Sequence, residues 1–324
     1  MKKRFSLVFL ILLCCVFIFS CRPGKDNTNI ENKTRTYPCP QGLKTDVAWI
    51  VLEWNGKPRY GGYGSGFLND KEKGIFFTNK HVSDMFNVLG KGRHKIFFNC
   101  EVYNAKIVRI DPLADAASIQ ITDPFNSSNF PDSAPIAKEK IKVGDKVLIE
   151  GFHPHPYAIR ESNRVESGYN ELLVPIYKEY YRMKVYYGGR RISDLDNEME
   201  VVFEKIEGRV IALNLTWEDI MKKKGKDAAA DGFIESLGNK INLFHEIRIF
   251  KDHKFPFGGL SGGPVRNSMG EIVGITTRQD VDRYEYDEEE FKSKGFAEAK
   301  NLWDTVYITP IESVADLRQY LDKK

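Results

Sequence analysis

The stretch GLSGGP, residues 259–264, decides how this chain folds and what chemistry it can carry. Its serine, Ser261, lies between glycines, which let the backbone turn tightly and let a second molecule approach closely. In such a turn the N–H groups of Gly259 and Ser261 can point at a developing oxyanion. The stretch therefore predicts a nucleophile at Ser261 and an oxyanion hole made by the amides of Gly259 and Ser261.

Two segments upstream carry groups that would activate this serine. FFTNKHV (76–82) contains His81, and DPLADAASIQI (111–121) contains Asp115. A hydroxyl, an imidazole and a carboxylate are the nucleophile, base and orienting acid of a catalytic triad. Asp111 competes for the orienting role, but an aspartate before proline is typical of a turn. Asp115, which precedes a small apolar run, is the predicted orienter.

The order of these residues along the chain selects between two folds. GLSGG also fits the G-x-S-x-G turn of an α/β-hydrolase, in which the histidine follows the serine. All six histidines of this chain precede Ser261, which disfavours that fold. The order His81, Asp115, Ser261 is that of chymotrypsin-type double β-barrels.

At this point the chain resembles a known family, the trypsin-like serine endopeptidases of the bacterial HtrA (Do-like) branch. The matching segments, in the family's order, are GYGSGFLND (62–70), GIFFTNKHV (74–82), YNAKIVRIDPLADAASIQI (103–121), IKVGDKVLIEGF (141–152), FGGLSGGPVRNSMGEIVGI (257–275) and VYITPIESV (306–314). The resemblance implies that His81 is the base, Asp115 the orienter and Ser261 the nucleophile. It also implies an oxyanion hole at Gly259 and Ser261, and proteins or peptides as substrates.

The resemblance further places four residues at a substrate pocket. By family position, Thr276, Thr277 and Arg278 form its wall, and Phe255 lies near its floor. Phe255 favours apolar side chains at the cleaved bond, whereas the acidic segment DVDRYEYDEEE (280–290) favours basic ones. The chain departs from the family by having an apolar residue, Leu260, directly before the nucleophile.

The predicted fold is all-β, with two packed antiparallel β-barrels of the chymotrypsin-like kind. Short β-rich runs separated by Gly- and Asp-containing turns predict a first barrel over about 43–125 and a second over about 135–310. The long interval between Asp115 and Ser261 predicts an α/β insertion over about 160–245. A helix is predicted over 310–322, opened by capping-box spacing and a proline. The protease domain thus spans 43–324, and no PDZ-like module is expected after it.

The first residues, MKKRFSLVFLILLCCVFIFSCRPG (1–24), predict export. A basic start and an uncharged run that is short for a membrane span indicate a signal peptide over 1–20. The segment before Cys21 resembles a lipobox, so Cys21 is the predicted lipidation site, followed by a flexible tether over 21–42. The expected location is the cell envelope, anchored to the membrane and facing outside the cytoplasm. Ordinary secretion or an uncleaved anchor is the alternative.

The net charge of the chain bears on whether nucleic acid is a partner. The net charge of +3 disappears with the basic signal peptide, so the mature chain gives no reason to expect nucleic acid as a partner.

Cys39 and Cys100 remain after processing and are either a disulfide pair, which an exported location permits, or two thiols. No metal or cofactor is expected, and the oligomeric state is not indicated. A protease-fold surface lipoprotein acting as a binding protein is the alternative to an enzyme.

Overall fold

The computed structural model describes a little over half of the chain. The described residues are 35–36, 45–54, 57–84, 92–111, 114–156, 172–173, 186–187, 190–191, 199–223, 243–253, 258–280 and 303–314. The predicted signal peptide, the tether as far as residue 34 and the acidic segment beyond residue 280 lie outside them. None of the helices in the described ranges is long and apolar enough to span a membrane.

The first barrel is a closed sheet of six antiparallel strands, with a short seventh strand at its edge. The strands are β1 (Arg35–Thr36), β2 (Val47–Trp54), β3 (Lys57–Asp70), β4 (Ile75–Thr78), β5 (Gly92–Phe98), β6 (Glu101–Ile110) and β7 (Ala117–Ile121). Their order is β1-β6-β5-β2-β3-β4-β7, and pairing of β6 with β7 closes the ring. A five-residue helix, α1 (Lys80–Asp84), follows β4 directly.

The core of the first barrel is aromatic and β-branched, as strand-forming sequences are. Phe76, Phe98 and Phe130 meet edge to face, with ring centroids 4.9 Å apart in the Phe76–Phe98 and Phe98–Phe130 pairs. All four residues of β4 are buried. This packing fixes the end of β4, from which α1 emerges.

The second barrel is also a closed ring of six antiparallel strands. Its strands are β8 (Lys146–Pro156), β12 (Met199–Leu215), β13 (Phe244–His253), β14 (Pro264–Arg266), β15 (Ile272–Asp280) and β16 (Trp303–Pro310). They follow the order β13-β16-β15-β14-β8-β12, and β12 pairs with β13 to close the ring. Three two-residue strands lie beside or outside it: β9 (Leu172–Leu173) at the edge of β12, and β10 (Tyr186–Tyr187) paired with β11 (Arg190–Arg191).

Two closed six-stranded antiparallel barrels confirm the predicted chymotrypsin-like, all-β double-barrel fold. The structure differs from the sequence-based boundaries within the range predicted for the insertion, 160–245. There β12 is a strand of the barrel, because its first half pairs with β8 from Met199 to Arg209 and its second half pairs with β13. The alternating sequence of β12 suits a strand with one face buried.

The helices outside the barrels are short. Helix α2 (Trp217–Lys223) follows β12, and Thr216 and Asp219 cap it reciprocally, since each accepts a hydrogen bond from the other's backbone N–H. A 3₁₀ turn covers Ser127–Asn129. A second, Ile311–Val314, begins where the C-terminal helix is predicted, and the rest of that prediction lies outside the described residues.

The barrels share an apolar contact that holds their facing sides together. Phe67 and Phe77 of the first barrel lie in one buried cluster with Ile272 and Ile275 of the second. Apolar burial of this kind is worth about 25 cal/mol per Å². Because β4 ends and β15 passes at this contact, the segments that carry the predicted site residues meet here.

Candidate active site

His81 and Asp115 come together because the strands beside them pair. Strands β4 and β7 are antiparallel, with Thr78 opposite Ala117, so the end of one lies at the start of the other. His81 follows β4 and Asp115 precedes β7. His81 Nδ1 is 2.6 Å from Asp115 Oδ2. The backbone N–H of His81 donates to Asp115 Oδ1 at 2.9 Å.

This double contact fixes both the position and the tautomer of the imidazole. The Asp115 side chain is fully buried and the His81 side chain is 9% exposed. A carboxylate at Nδ1 favours the tautomer that carries its proton there, which leaves Nε2 as the basic nitrogen. The pair has the geometry of a base held by an orienting acid.

Asp111 serves a different purpose. Its carboxylate accepts the N–H of Ala114 at 2.9 Å, and its own N–H donates to the Ala116 carbonyl oxygen at 2.9 Å. These bonds form the turn that presents Asp115 to His81. The structure therefore uses Asp111 as a turn residue and brings Asp115, not Asp111, to the imidazole.

Ser261 lies in the turn before β14 and is half-buried. Its hydroxyl donates to the Thr277 carbonyl oxygen at 3.3 Å, and within the described residues no hydrogen bond joins it to His81. A hydrogen bond to His81 would require the hydroxyl to leave the Thr277 carbonyl oxygen. Catalytic hydrogen bonds are often long or misaligned in a free enzyme and tighten when substrate binds.

Asn79 and Thr277 connect the acid and the serine across the two barrels. Asn79 Nδ2 donates to the Asp115 carbonyl oxygen at 2.8 Å and to Thr277 Oγ1 at 3.3 Å. Thr277 Oγ1 also lies 2.8 Å from Thr309 Oγ1. The carbonyl oxygen of Thr277 is the one that holds the Ser261 hydroxyl. Hydrogen bonds of side chains and backbone carbonyl oxygens therefore join neighbouring residues in the order His81, Asp115, Asn79, Thr277 and Ser261.

The backbone of the serine turn depends on glycine. Gly259 has a φ of 112° and Gly262 a φ of 90°, which L side chains rarely adopt. A Cβ on Gly262 would also overlap the Ser65 carbonyl oxygen. Within the described part of the chain, the N–H groups of Gly259 and Ser261 donate to no protein acceptor. They are the two amides predicted to form an oxyanion hole.

The residues predicted to line a substrate pocket differ in how deeply they are buried. Thr276 and Thr277 are both buried, at 3% and 2% exposure. Arg278 is half-buried, and its guanidinium lies over the Trp217 ring of α2, 4.1 Å from the centroid. Phe255 lies outside the described residues. The pocket therefore stays a prediction.

The cysteine predictions are reached only in part. Cys100 is disulfide-bonded. Cys39 and Cys21 lie outside the described residues, so the Cys39–Cys100 pairing and the lipidation of Cys21 stay predictions. No group of three or more potential metal ligands occurs among the residues that the structure describes.

Two residues of the site escaped the sequence analysis, Ser65 and Asn79. Both are fully buried, and both bond to segments of the opposite barrel. Their only sequence signals are position: Ser65 stands between glycines in GYGSGF, and Asn79 precedes His81 by two residues. Neither signal indicates which distant group the side chain meets.

The chain matches no protein-family model and no curated protein. Among solved structures it is similar to the Rv3671c protease. The inactive form of that protease has 16% sequence identity and a TM-score of 0.45, with 84% of this chain and 86% of that one covered. The active form, from M. tuberculosis, has 17% identity and a TM-score of 0.45, with 89% and 92% covered. These neighbours are proteases.

Proposed function

We propose that this protein is a serine endopeptidase that hydrolyses peptide bonds of proteins through an acyl-enzyme. The observation that carries the proposal is the 2.6 Å contact between His81 Nδ1 and the buried Asp115 carboxylate. Such a pair can take a proton from a nearby hydroxyl. Ser261, linked to the same pair through Asn79 and Thr277, supplies that hydroxyl.

In the proposed mechanism the hydroxyl of Ser261 turns from Thr277 towards Nε2 of His81 and attacks the peptide carbonyl. His81 takes the hydroxyl proton and passes it to the leaving amine, while Asp115 stabilises the imidazolium. The N–H groups of Gly259 and Ser261 donate to the oxyanion of the tetrahedral intermediate. Water then attacks the acyl-enzyme, with His81 again as the base; the ester bond to Ser261 breaks, the proton passes from His81 to the Ser261 oxygen, and the acid product leaves.

A fluorophosphonate probe tests this proposal directly, because it labels only an activated serine. The wild type should be labelled at Ser261 and should cleave a casein or peptide-library substrate. Ser261→Ala should lose labelling and fall on the order of 10⁶-fold in kcat if the three residues act as a unit. Ser268→Ala is the matched control, because Ser268 is an exposed serine of the same segment. A wild type that neither labels nor cleaves would remove the enzyme proposal.

A second candidate is a binding protein that keeps the protease fold without its activity. The hydrogen bond from Ser261 to the Thr277 carbonyl oxygen favours it, since the hydroxyl is then occupied away from His81. This candidate requires that the wild type neither react with the probe nor cleave substrate peptides. The labelling experiment therefore separates the two functions.

We further propose that the protein acts in the cell envelope, held by lipid on Cys21. The support is sequence alone: the basic start, the short apolar run and the cysteine that follows it. The mature wild type should partition into detergent and carry the added mass of acyl chains, and Cys21→Ala should lose that mass. A mature protein found wholly in the aqueous phase without acyl mass would leave simple secretion.

A further inference from the structure

We infer that the Ser65 hydroxyl is a positioning group that holds the oxyanion hole in its working shape. This inference rests on the proposed peptidase function and concerns the same site. Ser65 belongs to β3 of the first barrel, whereas the serine turn belongs to the second. The residue touches no reacting atom in this scheme and acts through the backbone of the turn.

The Ser65 hydroxyl is fully buried, and its hydrogen bonds within the described residues all go to the second barrel. It donates to the Gly259 carbonyl oxygen at 2.9 Å and accepts the Phe152 N–H at 2.8 Å. The Phe152 carbonyl oxygen lies at 3.2 Å as a further acceptor. Since Phe152 is part of β8, the Ser65 hydroxyl connects the serine turn to β8, a strand of the second barrel.

The backbone of Ser65 holds the other side of the same turn. Its N–H donates to the Ser261 carbonyl oxygen at 2.7 Å. The Leu260 carbonyl oxygen, which lies between those of Gly259 and Ser261 in the chain, accepts the N–H of Gly263 at 2.8 Å. All three carbonyl oxygens from Gly259 to Ser261 are therefore committed to acceptor roles, two of them to Ser65. The intervening amide of Ser261 is left to donate elsewhere.

The first two residues of the turn need such an anchor, whereas Leu260 is held by the burial of its own side chain. Gly258 and Gly259 have no Cβ to restrict them, and Gly259 sits at a φ of 112°. Rotation of the Gly259–Leu260 peptide would reorient the segment between the two proposed oxyanion donors. The Ser65 hydroxyl opposes that rotation by holding the carbonyl of this peptide. Oxyanion donors are effective because they are preorganised, so the hydroxyl should matter most in the transition state.

Ser65→Ala removes the hydroxyl and keeps the backbone N–H. We expect kcat to fall about 10- to 100-fold while KM changes about twofold or less. A peptide aldehyde, whose adduct presents an oxyanion, should lose affinity by the same factor as kcat/KM. The affinity of the amine product of cleavage should stay unchanged, because it carries no carbonyl or carboxylate oxygen at the position of the oxyanion.

Ser118→Ala is the matched control, since it makes the same change at a fully buried serine of the same barrel. The Ser118 hydroxyl has no hydrogen-bond partner among the described residues. Gly151→Ala is a second, independent perturbation, because the new Cβ would lie 2.9 Å from Ser65 Oγ and 2.8 Å from Leu260 Cδ2. It should lower kcat in the same sense as Ser65→Ala. Thermal unfolding shows which variants are folded.

The outcomes are distinct. A folded Ser65→Ala with wild-type kcat and aldehyde affinity overturns the inference and leaves the peptidase proposal intact. An equal loss of kcat in Ser118→Ala also overturns it, because general loosening of the barrel would then explain the effect. Should Ser65→Ala not fold, an unchanged kcat in Gly151→Ala overturns the inference in its place. A wild type that neither labels nor cleaves overturns the peptidase function, and the positioning role falls with it.

Discussion

Asp115 holds His81 with both carboxylate oxygens, one on the imidazole Nδ1 at 2.6 Å and one on the backbone N–H at 2.9 Å. Asp115 therefore fixes both the imidazole ring of His81 and the start of helix α1, to which His81 belongs. This arrangement leaves the imidazole little freedom to rotate. It also gives the orienting acid a structural task besides its proposed catalytic one.

Asp115→Asn should lower kcat about 10⁴-fold, because an amide no longer favours the tautomer with the proton on Nδ1. Asp111→Asn should cost far less, since an asparagine can still accept the Ala114 N–H in the turn. Peptide cleavage by the two variants, normalised to folded protein by circular dichroism, gives the comparison. Reversed losses would make Asp111 the orienter.

Arg266 joins two buried carboxylates, one from each barrel. Its guanidinium bonds to Asp46 Oδ1 and to Glu150 Oε2, each at 2.5 Å. Removing Arg266 leaves the buried Asp46 carboxylate without its cation, whereas Glu150 keeps an ion pair with Lys205 at 2.7 Å. Arg266→Met should lower the free energy of unfolding by about 3–5 kcal/mol in urea titrations at pH 7. Replacing Asp46 and Glu150 as well, by Asn and Gln, should recover part of that loss.

The loss in Arg266→Met should also depend on pH. Burial raises the pKa of Asp46, and Arg266 opposes the rise, so the variant's Asp46 has a higher pKa still. A carboxyl whose pKa is raised by folding contributes stability at low pH and loses it as pH rises through the folded pKa. The difference between variant and wild type should therefore shrink as pH falls. Lys71→Met, which breaks an exposed ion pair with Asp132, is the control and should change stability little. A pH-independent difference would contradict this account.

His245 predicts a second pH effect. Its Nδ1 accepts the Asn214 N–H at 3.2 Å, and burial lowers its pKa from the ordinary value of 6.5. A base whose pKa is lower in the folded state than in the unfolded state stabilises the protein at pH values above the unfolded-state pKa. This stability is lost as pH falls through the folded-state pKa. The free energy of unfolding should therefore decrease as pH falls below about 6.5. His245→Asn keeps an acceptor and cannot titrate, so its profile should be flatter; parallel profiles would refute the assignment.

The disulfide of Cys100 gives a covalent prediction. Asn99 and Cys100 form a tight turn with φ of 51° and 63°, and β1 pairs beside it at Val102 and Glu101. Cys39 follows β1 by three residues, so it is the expected partner. Non-reducing peptide mapping should recover a Cys39–Cys100 link, and Cys100→Ser should cost about 2–4 kcal/mol of unfolding free energy. Two free thiols in the oxidised protein would contradict the pairing.

Much of the first barrel could be predicted from sequence because its information is local. Among the short β-rich runs of the sequence that predict this barrel, Ile75–Thr78 and Ala117–Ile121 are strands in the structure. Alternating or continuous apolar residues between turn-forming residues specify such strands without reference to the rest of the chain. The strands of the second barrel are harder to predict from sequence, because β12 is separated in sequence from most of the strands with which it pairs. It also lies within the predicted insertion.

The amino-acid sequence by itself determined which groups are available: a serine between glycines, a histidine and an aspartate, in the order of a double barrel. Only the tertiary structure decided what these groups touch. The Ser261 hydroxyl meets the Thr277 carbonyl oxygen, the Ser65 hydroxyl meets Gly259 across 194 positions of sequence, and Arg266 meets Asp46 across 220. The reason is physical: a buried polar group must find a partner, and when the barrels pack the nearest one comes from a distant segment. Residue types reveal that such bonds are needed, whereas the packing of the two barrels selects the atoms that make them.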